Sequence, residues 1–366
     1  MPMPASLTEQ DIEAIGRELD AIRDDVIAAR GESDAAYIRK VVRVHRQLET
    51  TSRITLLGSL FPPFWLAGTA MLSVAKVLEN MELGHNIIHG QWDWMRDPEI
   101  HSTTWEWDHA SSAQDWKHSH NYLHHTFTNI IGKDRDLGYS LLRMSDEVPW
   151  KPYHLVQMPI NVGLALFFEY GIALYDLEIE KVPRGEMSVR EAAGKLGKIW
   201  NKIRPQLVKD YVMWPLLSGP SALTTLGANF TANVARNVWT HTIIFCGHFP
   251  DGVEQFLPED VENETRGGWY VRQLLGSANL EGGELFNLMT GQLSFQIEHH
   301  LFPDLPSNRY VEIAPRVQDL CARYDLPYTT GPLSKQYATV WRRIARLSLP
   351  STPAVAASLV KARKAA

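Results

Sequence analysis

The chain has 366 residues, of which 45% are apolar and 10% aromatic, with a formal net charge of −6. That length suits one large domain or two modest ones, and the acidic balance gives no global reason to bind nucleic acid. Only Cys246 and Cys321 are present, which excludes a four-cysteine iron–sulfur centre and fits a reducing compartment without a disulfide framework.

The opening MPMPASLTEQDIEA is polar and acidic and lacks the basic and apolar regions of a signal peptide. Residues 8–30 read as an amphipathic helix, with Ile12, Ile15, Leu19, Ile22 and Val26 at three- and four-residue steps. Ser6 with Glu9 fits a capping box, and Gly31 a stop. A second helix is expected from about Asp34, with Ile38, Val41, Val42 and Leu48 on one side. Arg39, Lys40, Arg43 and Arg46 make its other side basic, as a solvated face or as a contact for headgroups or the phosphates of a ligand. Residues 1–53 are thus a pair of N-terminal amphipathic helices.

Mean hydropathy is −0.21, but the average hides segregation. Residues 54–75 carry no charge, which is long enough to span a bilayer. Pro62-Pro63 interrupts them, so a helix is expected to begin or kink there. A membrane helix over about 54–84 would run through Lys76, Glu79 and Glu82 to His85 and His89 in GHNIIHG. Glu79 and Glu82 either orient histidine N–H groups or reach the headgroup layer.

Residues 90–150 hold no apolar span, so the next cluster, His120, His124 and His125 in HSHNYLHHTFTN, faces the same side of the membrane. Trp92, Trp94, Trp105, Trp107 and Trp116 lie between the clusters, as an interfacial belt or as walls of a tunnel for an apolar chain. His101, His109 and His118 fall outside the cluster spacings and read as ordinary histidines. Asp134 and Asp136 are placed to orient the second cluster, or are solvated.

Residues 155–175 are apolar apart from Glu169, and residues 181–209 carry eight Lys or Arg against Glu186 and Glu191. The positive-inside rule puts that basic segment in the cytoplasm. Residues 212–250 have Arg236 as their only formal charge and suit a hairpin of two spans, with Gly219, Pro220 and Gly227 as places to turn. A third cluster, Gln296, His299 and His300 in QIEHHLFP, must join the first two, so an even number of crossings separates them. The hairpin supplies two, and 155–175 is therefore expected to lie in the interface or to dip in and return. His248 ends the hairpin's second helix, and His241 lies two turns earlier on the same face. After Pro250 the chain reads as polar until the third cluster. Residues 308–325 suggest another amphipathic helix with Ser307 as a cap, and 351–366 a mobile tail.

On a helix, residues three or four apart share a face. Each cluster therefore presents several imidazoles together, and imidazole is the commonest protein ligand for transition metals. Seven clustered histidines exceed the four ligands of one zinc, which points to one site with two metal ions. Zinc proteases use H-E-x-x-H, whereas Asn86 stands in the glutamate's place here. Soluble di-iron bundles use Glu-x-x-His, which these clusters do not repeat, although Glu298 lies inside the third.

H-x3-H, H-x3-HH and Q-x2-HH, in that order, resemble the histidine boxes of the membrane fatty-acid desaturase family. GHNIIHGQWDWMRDP, HNYLHHTFTN, FCGHFPDG and QIEHHLFPDLPSNRY resemble its actinobacterial acyl-CoA branch. The likeness covers residues 35 to 350, and a desaturase domain over 54–350 follows from it. The resemblance implies an all-α fold, with a membrane helical stem and a cytoplasmic helical cap holding the metals. It implies a multi-pass cell-membrane enzyme, active site facing the cytoplasm, that removes two hydrogens from a fatty acyl-CoA with O2. By resemblance His85, His89, His120, His124, His125, His248, His299 and His300 hold two irons. Gln296 stands where relatives have histidine and binds directly or through water. His241 is a further ligand or orienting group.

Such a reaction consumes two electrons beyond those of the substrate. The chain has no haem, flavin or nicotinamide fingerprint, and no cytochrome b5 domain, so a separate NAD(P)H-dependent reductase or carrier is expected. The basic segment 181–209 is a candidate docking surface for it, or a seat for anionic lipid. Two rivals stand beside this reading: a related membrane di-iron hydroxylase, and a non-catalytic membrane metal-binding protein.

Overall fold

A computed structural model describes residues 7–175 and 177–350. Ser6 and the expected tail 351–366 lie outside the described residues. The fold is all-α apart from one pair of short parallel strands, Asn279–Glu281 and Thr330–Pro332.

Two long helical hairpins lie side by side. The first has arms Glu32–Leu56 and Pro62–Leu78, the second arm continuing through a π-helical stretch, Glu79–His85. Its helix restarts at Pro62-Pro63 because proline fits the first turn, where no N–H is needed. The second hairpin has arms Val189–Val208, extended through Lys209–Met213 and Trp214–Leu217, and Ala222–His248. The two turns are pinned together. Ser59 Oγ lies 2.7 Å from Thr224 Oγ1, Trp65 Nε1 donates to the Thr224 carbonyl at 3.1 Å, and Ser221 Oγ donates to the Leu57 carbonyl at 2.8 Å.

This layout corrects the expected spans. Residues 54–84 are the end of one arm, a turn and most of the next. Residues 212–250 hold one long helix, because the chain turns at Gly219–Ser221, while Gly227 sits inside the helix. The other arm is the basic segment itself. Among the described residues no single helix is long and apolar enough to cross a membrane. Residues 155–175 fold as Gln157–Leu166 and Phe168–Tyr175, bent by 103° at the break.

A layer of buried charge ties the hairpins together. Asp210, fully buried, accepts from Arg53 at 2.7 Å and Lys76 at 2.8 Å, one from each arm of the first hairpin. Asp108 accepts from Lys76 at 3.2 Å and Lys209 at 2.6 Å, and Arg236 pairs with Glu169. Breaking such a pair leaves an uncompensated buried charge. Asp210→Ala is therefore expected to destabilise the fold by about 3–5 kcal/mol. Thermal unfolding of the purified variant checks this, and an unchanged midpoint would count against a structural role for the layer.

The N-terminal helix, Glu9–Ala29, begins two residues later than a Ser6 cap implies. Thr8 caps it, its Oγ1 accepting from Asp11 N at 3.2 Å while Asp11 accepts from Thr8 N at 2.9 Å. Ile15, Leu19, Ile22 and Val26 bury against Tyr270, Leu274, Tyr310 and Val317. The second helix starts at Glu32, ahead of the expected Asp34. Tyr270 and Leu274 belong to Arg266–Leu275, a buried helix inside the stretch read as polar, where Tyr270, Val271, Leu274 and Leu275 stand at three- and four-residue steps. Ser307 does not cap the helix that follows. It opens a short 3-10 turn before Tyr310–Arg323, and its hydroxyl donates to Glu82 at 2.7 Å.

Candidate metal centre

The three boxes meet at the inner ends of the hairpins. His85 ends the π-helical stretch of the first hairpin, and His89 follows one turn on. His120 and His124 sit in a second π-helical stretch, Lys117–His124, with rings stacked 4.9 Å apart. Both boxes thus depart from the α-helix assumed from the sequence. Single π turns are rare and cluster at functional sites. Gly84 makes the first of them possible, since a Cβ there would come within 2.8 Å of the Trp107 ring. His299 and His300 lie on Gln296–Leu301, and His248 is the last residue of its helix.

Two groups of nitrogens result. Ligand atoms of His85, His89, His120 and His299 lie within 4.8 Å of one another, and those of His124, His248 and His300 do the same. His125 stands between the groups, 4.7 Å from the His89 ring and stacked on His300 at 4.5 Å. Gln296 donates to His248 Nε2 at 3.0 Å. It is seated by Gly247, where a Cβ would meet the Gln296 side chain at 2.9 Å.

The outer nitrogens are held by other side chains. Nδ1 of His124 faces Asp134 at 3.0 Å, and Nδ1 of His120 faces Asp136 at 3.1 Å. Nδ1 of His85 faces Asn86 at 2.9 Å, of His300 Gln273 at 3.0 Å, and of His299 the Tyr310 hydroxyl at 3.3 Å. An anchored Nδ1 fixes tautomer and ring direction, and leaves Nε2 as the free lone pair. Gln273 and Tyr310 were not singled out in the sequence, because nothing local marks a glutamine or tyrosine as a histidine's partner.

Other candidates fall elsewhere. Glu79 accepts from the Asp108 backbone and Glu82 from Tyr37 and Ser307, and neither is bonded to a histidine. His241 bonds Asn161 at 2.9 Å and stacks on Phe245, in neither group. His101, His109 and His118 also lie in neither.

Burial pushes the imidazoles of His299 and His300 far below their ordinary range, and each lowers its neighbours further. His85 is pushed down to about 4, again chiefly by burial. These rings are therefore neutral at neutral pH, the form that binds metal. At His124, burial works downward but the Asp134 carboxylate outweighs it and the pKa is raised.

The donor set fits metal ions on a direct test. Nε2 of His89, His120, His124 and His299, both ring nitrogens of His125 and Oε1 of Gln296 are buried without a hydrogen-bond partner. Such orphans are rare in native proteins because each costs about 1–3 kcal/mol. Those of His89, His120, His124 and His299 belong to the two groups above, where imidazole-bound cations would satisfy them.

A cleft leads to this centre, lined by Trp107, Trp116, Tyr139, Phe168, Ile172 and Ile244 among others, with His85, His120, His124, His248 and Gln296 on its wall.

The model of one protein family, Fatty acid desaturase, matches residues 60–332. The chain belongs to the fatty acid desaturase family. Over 350 residues, 94% of its length, this desaturase is 51% identical to the NADPH-dependent stearoyl-CoA 9-desaturase of Mycobacterium tuberculosis, covering 82% of that protein. It is 27% identical to the sn-1 linoleoyl-lipid 6-desaturase of Synechocystis over 88% of the chain and 90% of the relative. It is 26% identical to human fatty acid desaturase 3 over 76% and 60% respectively. All three boxes lie inside the matched region of the desaturase.

Proposed function

We propose that this desaturase introduces a cis double bond into a long-chain fatty acyl-CoA. The acyl chain gives up two hydrogens; O2, two electrons and two protons take part, and two waters leave. The observation that carries this is the pair of buried imidazole groups on the wall of an apolar cleft. The acyl-CoA assignment is supported by the name of the mycobacterial relative.

The site would hold two irons. His85, His89, His120 and His299 would bind one, and His124, His248 and His300 the other, with His125 between them. Gln296 would bind beside His248, directly or through water. Bound iron supplies the oxygen chemistry needed to attack an unactivated C–H bond. The chain's own residues do the rest. Asp134 and Asp136 hold rings in place, and the tryptophans and Phe168 keep water from the methylenes.

Electrons come from a separate NAD(P)H-dependent reductase or carrier. The basic segment 181–209 offers less free charge to such a partner than the sequence suggests. Lys195 is bonded to Glu178, Lys202 to Glu106 and Lys209 to Asp108. The enzyme is placed at the cell membrane with the metals toward the cytoplasm. It is multi-pass, as the uncharged runs 54–75 and 211–235 at the hairpin turns support.

Fatty-acid analysis by mass spectrometry of cells expressing the chain is expected to show a new monounsaturated product. A hydroxylated product would instead favour the hydroxylase reading. In reconstitution with acyl-CoA, O2 and NADPH, turnover is expected only after a reductase is added. Turnover without one would disprove the need for a partner.

A further inference from the structure

The reaction proposed above takes up two protons for each O2. The cleft is a poor source of them, because its walls are largely aromatic and aliphatic and an acyl chain would fill it. A second space lies beside it. Between the two hairpins is a polar cavity of about 210 Å3, room for several waters at about 30 Å3 each. Glu49 and Glu106 on its outer wall have side chains 37% and 51% exposed, so that wall reaches solvent. Glu79 on its inner wall is 7% exposed.

Most charge on this wall is paired. Lys76 is bonded to Asp108 and Asp210, and Lys209 to Asp108. Glu79 is different. Its Oε1 accepts from the Asp108 backbone at 3.0 Å, but Oε2 is buried with no hydrogen-bond partner among the described residues. An open oxygen of this kind asks for a role beyond holding the hairpins together, and beside a polar cavity it can meet water. The same two segments bound both spaces. Glu79 lines the cavity and Asn80 the cleft; Asp108 lines the cavity and His109 the cleft. Asn80 accepts from Thr240 at 2.8 Å, and Thr240 also lines the cleft. His109 Nδ1 accepts from the Ser111 backbone at 3.1 Å, so its neutral ring carries the hydrogen on Nε2.

We propose that this cavity is the proton inlet of the site, and that the Glu79 carboxyl passes protons from its waters toward the cleft. The idea rests on the desaturase reading, because O2 reduction is what calls for the protons. In each passage the carboxyl gives up one proton on the cleft side, past Asn80 and His109, and regains one from cavity water. It ends unchanged, and two passages supply the two protons of one turnover. Asp108, Lys209 and Arg236 act on Glu79 electrostatically, and Lys76 and Glu169 pair with Asp108 and Arg236 in turn. These groups stay charged and fix the field around the carboxyl. His45, Glu49 and Glu106 stand around the cavity and carry no step.

The test compares full-length wild type with Glu79→Gln, Glu79→Asp and Ala75→Leu, the last filling the cavity while keeping the carboxyl. Glu79→Gln is expected to lower kcat about tenfold or more, with the KM for acyl-CoA and the iron content unchanged. Glu79→Asp should recover part of the loss. Ala75→Leu should lower kcat and enlarge the effect of D2O on it. Wild-type kcat in both Glu79→Gln and Ala75→Leu would overturn the proposal. Infrared spectra of substrate-free protein give a reading without turnover, and one that holds if a variant folds poorly. A carboxyl band missing from Glu79→Gln is expected to shift in wild type on transfer to D2O, and to exchange more slowly in Ala75→Leu. A band that does not exchange, or none assignable to Glu79 across the pH range of activity, would overturn the proposal as well. Exchange in a wild type that desaturates nothing would support the inlet and count against the desaturase reading, so the two fail separately.

Discussion

His120→Ala, His124→Ala and His300→Ala are each expected to abolish desaturation, at matched expression, while His101→Ala and His45→Ala retain it. The first three rings aim buried nitrogens at the two meeting points. His101 bonds Thr103 at the surface, and His45 lines a separate polar cavity with Lys76 and Lys209. Loss of a residue that only orients a metal ligand typically costs about 10–100-fold. Asp134→Asn should fall in that range, and the three alanine variants below it. Product formation in whole cells is the measurement. Similar activity across all five histidine variants would refute the assignment, and full activity in Asp134→Asn would leave that carboxylate without a role.

The second large effect concerns metal content. Carefully purified protein should carry two iron equivalents per chain. His248→Ala should lose most of one and keep the other, because His248 belongs only to the group with His124 and His300. His89→Ala should do the converse. Elemental analysis checks both. One equivalent in the wild type with full activity would sink the two-metal reading. Zinc in a recombinant sample would not, because zinc competes well for imidazole. Chelation should lower thermal stability, since ions bound only to the folded chain stabilise it.

The chemistry was legible in the sequence because it is local. An imidazole pair four residues apart meets on almost any helix, so His120 with His124 can be read from spacing alone. Asp134 and Asp136 were nameable for the same reason, lying just past their histidines. The apolar faces of Glu9–Ala29 and Glu32–Leu56 followed from period, and so did the stop at Gly31, although the first helix is capped by Thr8.

Partition of the histidines into two groups is a different matter. Four chain segments must meet before His299 is seen beside His85, and His300 beside His124 and His248, and no spacing encodes that. Gln273 and Tyr310 became partners of His300 and His299 for the same reason. The π-helical turns under boxes one and two, with Gly84 against Trp107, are likewise set by packing rather than propensity. Hydropathy misjudged the hairpins because it scores composition and not pairing. It read 212–250 as two arms, whereas the turn at Gly219–Ser221 makes the basic segment the first arm. Sequence by itself determined which side chains are available to bind metal. Tertiary structure decided how they are divided, what holds them, and how far the apolar turns extend before paired charge begins, because each of those depends on residues far apart in the chain.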